Sequence, residues 1–210
     1  MIPVKVLAVR YLANASPALC KGLGAPGGYP ALGLITTDCD DATYIALDAA
    51  TKAAEVEVAY GRSFYAGAAN ASTPNAGEVI GILAGPTPGD VRSGMEAALA
   101  ALEGLGFEEI GGVPYLARTV SSVGSFLAKE AGVKKGAAIA YLIAPPLEGM
   151  YALDAALKAS DVRLCKLYAP PSETNFGGGL LSGTQSACDA ACAAFAAAVA
   201  EVSASPRGTI

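Results

Sequence analysis

The chain has 210 residues, of which 53% are apolar and 16% charged, and this length suits one large domain or two of about 100 residues each. A net charge of −5 without any basic run excludes a phosphate-gripping nucleic-acid surface, and the complete absence of histidine removes Ser-His-Asp and Cys-His nucleophiles, imidazole metal sites and imidazole acid–base chemistry. Mean hydropathy is +0.43 and charge lies below the roughly one quarter usual in globular domains, as expected of a surface buried against other subunits.

Residues 4–10 alternate and carry charges inside the apolar run, which predicts a strand and not a signal peptide. A short helix over 16–23 follows, then a strand over 31–36, a helix over 43–54 and a strand over 56–60. A long loop of small polar residues comes next, followed by a strand over 79–84 and a helix over 89–103. Pro88 and Gly89 suit the start of that helix, and Gly104 and Gly106 its stop. The series then begins again: strand 113–119, helix 122–130, strand 137–143, helix 151–160, strand 162–168, a second loop, a strand at Leu180 and Leu181, and helix 186–202. The most apolar run, residues 190–200, lies between Asp189 and Glu201 and is too short to span a bilayer, so no membrane partner is expected. The five cysteines show no Cys-x-x-Cys spacing; neither a disulfide framework, a metal nor a cofactor is expected.

The recurrence is written in the residues themselves. Ala46-Leu-Asp-Ala-Ala-Thr-Lys-Ala-Ala-Glu-Val56 returns as Ala152-Leu-Asp-Ala-Ala-Leu-Lys-Ala-Ser-Asp-Val162, and Leu19-x-Lys21-x-x-Gly24 returns as Leu127-x-Lys129-x-x-Gly132. Repeated segments in one order imply two tandem α/β domains, 1–106 and 107–210, each with helices laid on a mostly antiparallel sheet.

Three sets of residues stand out. Asp48 and Lys52, like Asp154 and Lys158, sit four apart with the acid first, the favourable order for a helix-surface ion pair of about 0.2–0.5 kcal/mol. Two Gly-rich loops, residues 66–77 and 170–179, are poor in anchoring side chains, and loops of this length are usually functional or mobile. Phe64 and Tyr65 enter the first and Phe176 the second, giving bulk to plug an opening, while Glu173, Thr174 and Asn175 offer polar groups to line one. Acids collect at strand ends: Asp38, Asp40 and Asp41 after the second strand, Glu148 at its counterpart and Glu78 opening the fourth. Such acids also serve at helix N-termini, where the dipole favours them.

The pattern Ala-Leu-Asp-Ala-Ala-x-Lys-Ala, following Leu32-Gly-Leu-Ile35, resembles the bacterial microcompartment shell domain. A strand and short helix precede it in both copies, as in a circularly permuted version. Asp38-Cys-Asp-Asp-Ala-Thr-Tyr-Ile-Ala46, Tyr60-Gly-Arg-Ser-Phe-Tyr-Ala-Gly67, Ala144-Pro-Pro-Leu-Glu148 and Pro170-Pro-Ser-Glu-Thr-Asn-Phe176 narrow the likeness to tandem permuted shell proteins of the ethanolamine-utilisation type. That resemblance implies ferredoxin-like domains in a homotrimer whose six domains form a pseudohexamer, tiling with other shell proteins of a cytoplasmic compartment. It implies a structural role and not an enzyme, with Lys52 and Lys158 on the tiling edge. It further implies small pores lined by Asp40, Asp41, Glu78 and Glu148, with Phe107 and Thr174 nearby, that admit a small cation such as protonated ethanolamine. A gated central opening would involve Phe64, Tyr65, Gly67, Asn70, Glu173, Asn175 and Phe176. Relatives can carry a metal-binding histidine near the central loops; here the stretch is Ala68-Ala-Asn-Ala71, which argues against a metal there. The alternatives are a permuted tandem shell protein of another compartment, such as a propanediol one, and a soluble tandem-domain sensor.

Overall fold

The computed structural model describes residues 1–64, 77–170, 172 and 174–207. Its residues group into two units: Pro3–Gly106 with Gly124–Leu127, and Met1–Ile2 with Phe107–Val123 and Ala128–Ile210. In chain order the first part of the sequence forms β1 (Ile2–Pro3), β2 (Val6–Leu12), α1 (Pro17–Leu23), β3 (Ala31–Thr37), α2 (Asp40–Ala53), β4 (Glu57–Ser63), β5 (Val79–Gly85) and α3 (Pro88–Leu102). The remainder forms β6 (Gly106–Ile110), β7 (Val113–Val120), α4 (Ser125–Ala131), β8 (Ala138–Ala144), α5 (Pro146–Ala159), β9 (Val162–Tyr168), β10 (Gly177–Gly183) and α6 (Gln185–Ala204).

The duplication is visible in the strand orders. One antiparallel sheet runs β2-β3-β5-β4, and the other contains β7-β8-β10-β9, the same order with each strand replaced by its repeat, extended by β6 and β1. The helices sit close on these sheets because glycines face them. A Cβ added at Gly81 would stand 2.6 Å from Leu47 Cδ1, and one at Gly33 2.8 Å from Val91 Cγ1. Local signals agree with these packed elements. Thr87 caps α3 by accepting from the Asp90 N–H, with Pro88 at the first helical turn, and Thr184 caps α6 by accepting from the Ala187 N–H.

Several expectations need correcting. The strand expected at Leu180 and Leu181 alone is β10, which takes in the three glycines assigned to the second loop. Glycine is required there by crowding: a Cβ at Gly179 would lie 2.6 Å from the Lys166 carbonyl oxygen. On the other face, a Cβ at Gly149 would lie 2.5 Å from that of Gly177, so α5 rides directly on the strand. Strand β6 was not anticipated. It pairs with β7 across Gly111 and Gly112, whose positive φ values of 57° and 83° fit the tight two-residue hairpin turn that bars most side chains. Helices α2 and α5 both begin several residues earlier than expected, at Asp40 and Pro146.

Helix α6 is 20 residues long with a mean hydropathy of 1.5, so by length and composition it can cross a bilayer, unlike residues 190–200 taken alone. In this fold its Cys188, Ala191, Phe195, Ala198 and Val199 stripe is spent on the core, packed with Leu142, Leu153 and Leu181.

Candidate functional site

The acid turn between β3 and α2 is held by two buried hydroxyls. Thr37, at the end of β3, and Thr43, in α2, are both fully buried, and their hydroxyl oxygens lie 2.7 Å apart. Both sit against the Cys39 carbonyl, at 2.9 and 2.7 Å, while the Cys39 N–H donates to Thr37 Oγ1. Asp38 is fixed from the other side: its carboxylate accepts from the Lys5 N–H and its own N–H donates to the Lys5 carbonyl. The chain therefore enters α2 in one conformation, with Asp40 and Asp41 in the first helical turn. There the helix dipole favours their charge, as expected of strand-end acids. They are nonetheless only 6% exposed, and the Asp41 N–H donates to Asp40 Oδ1.

Glu78 joins this group from the opposite strand. Its N–H donates to the Thr37 carbonyl, and its own carbonyl accepts from the Phe64 N–H, each at 2.8 Å. Burial pushes its carboxyl up to about 7, and the charges of Asp40 and Asp38 push the same way. The same surroundings drive the Cys39 thiol far above its ordinary range, burial first and Asp41 next, so Cys39 is no nucleophile at neutral pH. Among the described residues no His, Cys, Asp and Glu side chains are grouped to hold a metal ion.

In the other unit, Glu148 occupies the first turn of α5 and is half-buried. Phe107 on β6 meets Phe176 just before β10, their ring centroids 5.6 Å apart and tilted by 38°, so a residue expected near the small pore touches one expected at the gate. Thr174 donates its N–H to Ser172 Oγ, and Asn175 adopts φ 66°, a left-handed conformation that asparagine tolerates well. Phe64 is 42% exposed where the first loop leaves β4. Tyr65, Gly67, Asn70 and Glu173 lie outside the described residues.

The two helix ion pairs are not alike. Lys158 and Asp154 form the exposed surface pair that the spacing anticipates, with side chains 74% and 62% accessible. Asp48 is instead completely buried, which overturns the expected helix-surface pair for the first copy. Its carboxylate accepts from the N–H groups of Gly124 and Leu127 at 2.7 and 2.8 Å, with Lys52 Nζ at 3.5 Å. Sequence reasoning missed Thr37, Thr43 and Asp48 as positioning residues. Only the break in the repeat at Thr37, whose copy-two counterpart is Ala144, sets that residue apart in the sequence, and it does not point to Thr43.

A duplicated four-stranded antiparallel sheet, each copy opened by the first of its four strands and a short helix, defines a tandem, permuted shell domain. The BMC domain family matches residues 31–110, beginning at β3 and not at β2, as permutation requires. The bacterial microcompartment shell protein EutL of Clostridium perfringens is 58% identical over 99% of this chain and 98% of its own. EutL of Escherichia coli is 47% identical over 98% and 96%. The crystal structure of the ethanolamine utilization protein EutL from Leptotrichia buccalis superposes with a TM-score of 0.96 at 55% identity, covering 99% of this chain and 98% of that one. The chain belongs to the EutL family of bacterial microcompartment shell proteins, and it is a structural component of the shell of that cytoplasmic compartment.

Proposed function

We propose that this chain forms a homotrimeric, pseudohexameric tile in the shell of an ethanolamine-utilising compartment, and that its acid turn lines a narrow passage for a small monovalent cation of the ethanolammonium class. The full-length likeness to relatives named for ethanolamine utilisation supports the compartment. One observation carries the passage: Asp40, Asp41 and Glu78 gather in a poorly solvated wall, and Glu78 holds its proton up to about neutral pH. Carboxylates crowded in a low-dielectric slot attract a cation and repel anions, which is selectivity and not catalysis. An arriving ammonium offsets the burial and the carboxylate repulsion that raise Glu78, so binding and ionisation favour each other. In this reading the chain is not an enzyme. Glu148, Phe107 and Thr174 complete the passage, and Lys52 and Lys158 meet neighbouring tiles, together with other shell proteins. The segments bearing Phe64, Tyr65, Gly67 and Asn70, and Glu173, Asn175 and Phe176, gate the central opening.

Calorimetric titration of ethanolamine hydrochloride into the purified protein tests the passage. The Asp40→Asn/Glu78→Gln double variant is expected to lose binding, and unchanged affinity would reject the assignment. Light scattering tests the tile, with about 62 kDa expected from three chains of 20.8 kDa.

A further inference from the structure

We infer that Thr36 is a specificity-determining residue of the proposed passage, its hydroxyl pairing with the alcohol group of a small amino alcohol whose ammonium end is held by the acids. It rests on that reading of the acid turn, and it concerns the end of the ligand that carboxylates do not select. Among the described residues two buried side-chain oxygens have no hydrogen-bond partner, Thr36 Oγ1 and Ser160 Oγ. Ser160 follows α5, whereas Thr36 lies in β3 two residues before Asp38. A buried hydroxyl left unpaired costs stability, so its presence needs a reason.

The surroundings of Thr36 provide that reason. Thr36 and Thr37 are successive strand residues and project to opposite faces of the sheet. Thr37 turns to α2 and meets Thr43, which leaves Thr36 no part in holding the turn. The Thr36 oxygen lies instead against Gly77, the residue before Glu78: a Cβ added there would stand 2.7 Å from Thr36 Oγ1. The hydroxyl thus adjoins the acid group without being bonded into it. Thr36 as a whole is only part-buried, and a rotation about χ1 to another staggered position carries the hydroxyl away from Gly77. A ligand alcohol that draws it round breaks no existing hydrogen bond.

The repeat shows that the fold does not require a hydroxyl at this place. Gly178 pairs with Ile143 as Ile80 pairs with Thr36, so Ile143 is the copy-two counterpart, and it is 4% exposed. Along the same strands Asp38 corresponds to Pro145 and Glu78 to Phe176. The hydroxyl and these two carboxyls are present together in one copy and absent together from the other. One strand position therefore takes isoleucine where the acids are missing and threonine where they are gathered, which packing alone does not explain. Chemistry divides the work between them. Carboxylates take the ammonium, whereas a neutral hydroxyl both donates and accepts and so suits an alcohol.

Calorimetric titration of ethanolamine and of propylamine, which carries a methyl group in place of the alcohol, tests the assignment. Thr36→Val removes the hydroxyl and keeps the branched shape. The wild type is expected to prefer ethanolamine, and the variant to bind ethanolamine roughly fivefold to tenfold more weakly with propylamine affinity unchanged. Thr36→Ser is expected to restore the preference. Without ligand, Thr36→Val is expected to melt no lower than the wild type, because no bond is lost with the hydroxyl. A lower melting temperature or equal losses for both amines gives the hydroxyl a structural part and overturns the inference. A preference that Thr36→Val leaves unchanged, or that the wild type lacks, also overturns it, and in all these cases the passage stands. A wild type that binds neither amine overturns the passage itself, and the role of Thr36 with it.

Discussion

Replacing Glu78 with Gln isolates the energetics of the acid turn. In the folded chain the Glu78 carboxyl titrates at about 7 against an ordinary 4.5, first because it is buried and then because Asp40 and Asp38 face it. The folded state therefore binds a proton more tightly than the unfolded chain. The stability this confers is fully present below pH 4.5, falls as pH rises, and is gone once pH passes about 7. Every pH unit separating the folded from the unfolded titration is worth about 1.36 kcal/mol. Since Glu78 is only about half-buried, solvent screening leaves roughly 1–2 kcal/mol of the unscreened sum. Glutamine keeps the shape of the neutral acid and never ionises. The variant is thus expected to match the wild type at pH 4.5 and to be about 1–2 kcal/mol more stable at pH 8. Urea unfolding at both pH values, at one protein concentration to hold any assembly constant, gives the difference directly. A stability difference that stays flat between these pH values, or that favours the wild type at pH 8, refutes the argument. The same titration governs the proposed ligand: ethanolamine affinity is expected to rise between pH 6 and 8 in the wild type and to lose that rise in Glu78→Gln.

Asp48→Ala strips two buried N–H groups of their charged acceptor and removes one ion pair from Lys52, so a loss of about 3–5 kcal/mol is expected by urea unfolding. Phe195→Ala opens a hole in the core beneath α6, where Phe195 is fully buried among alanines, and is expected to cost about 3–5 kcal/mol in the same assay. Gly77→Ala places a methyl 2.0 Å from the Thr37 carbonyl oxygen and displaces the Glu78 N–H from it; a loss of about 1–3 kcal/mol is expected, with a matching fall in melting temperature.

Much of the fold was legible because it is stated twice. The Ala-Leu-Asp-Ala-Ala-x-Lys-Ala helices and the Leu-x-Lys-x-x-Gly segments fix the repeat, and the αL glycines Gly24 and Gly132 end α1 and the matching turn of α4 as such spacing implies. What was not legible depends on contact. Gly177, Gly178 and Gly179 read as loop because glycine disfavours strands in general, whereas here the Pro170 ring and the Leu142 and Lys166 carbonyls leave no room for a Cβ. Asp48 and Asp154 lie in nearly identical sequence, yet one is sealed and the other open, because burial belongs to what packs on a helix and not to the helix. For the acid turn, the chemistry of Asp40, Asp41 and Glu78 could be read from their positions beside strand ends. The hydroxyl pair that aims them could not, since Thr37 and Thr43 look like ordinary strand and helix residues until they meet.

The backbone hydrogen bonds around Glu78 tie the acid turn to Phe64 at the end of β4. Thr37 holds the turn through its hydroxyl and holds Glu78 through its carbonyl, and Glu78 in turn accepts from Phe64, the last described residue before 65–76. The residue whose charge changes near neutral pH is therefore also the one that holds Phe64 through a hydrogen bond and follows Gly77 in the chain. Ionising Glu78 among Asp40 and Asp38 adds repulsion here, which the proposed ammonium ligand would offset. A displacement of Glu78 in response must strain either the Thr37 or the Phe64 hydrogen bond, because both act on its peptide groups. In the proposed function, occupancy of the passage therefore acts on the peptide groups that bond Thr37 and Phe64 through a single residue, Glu78.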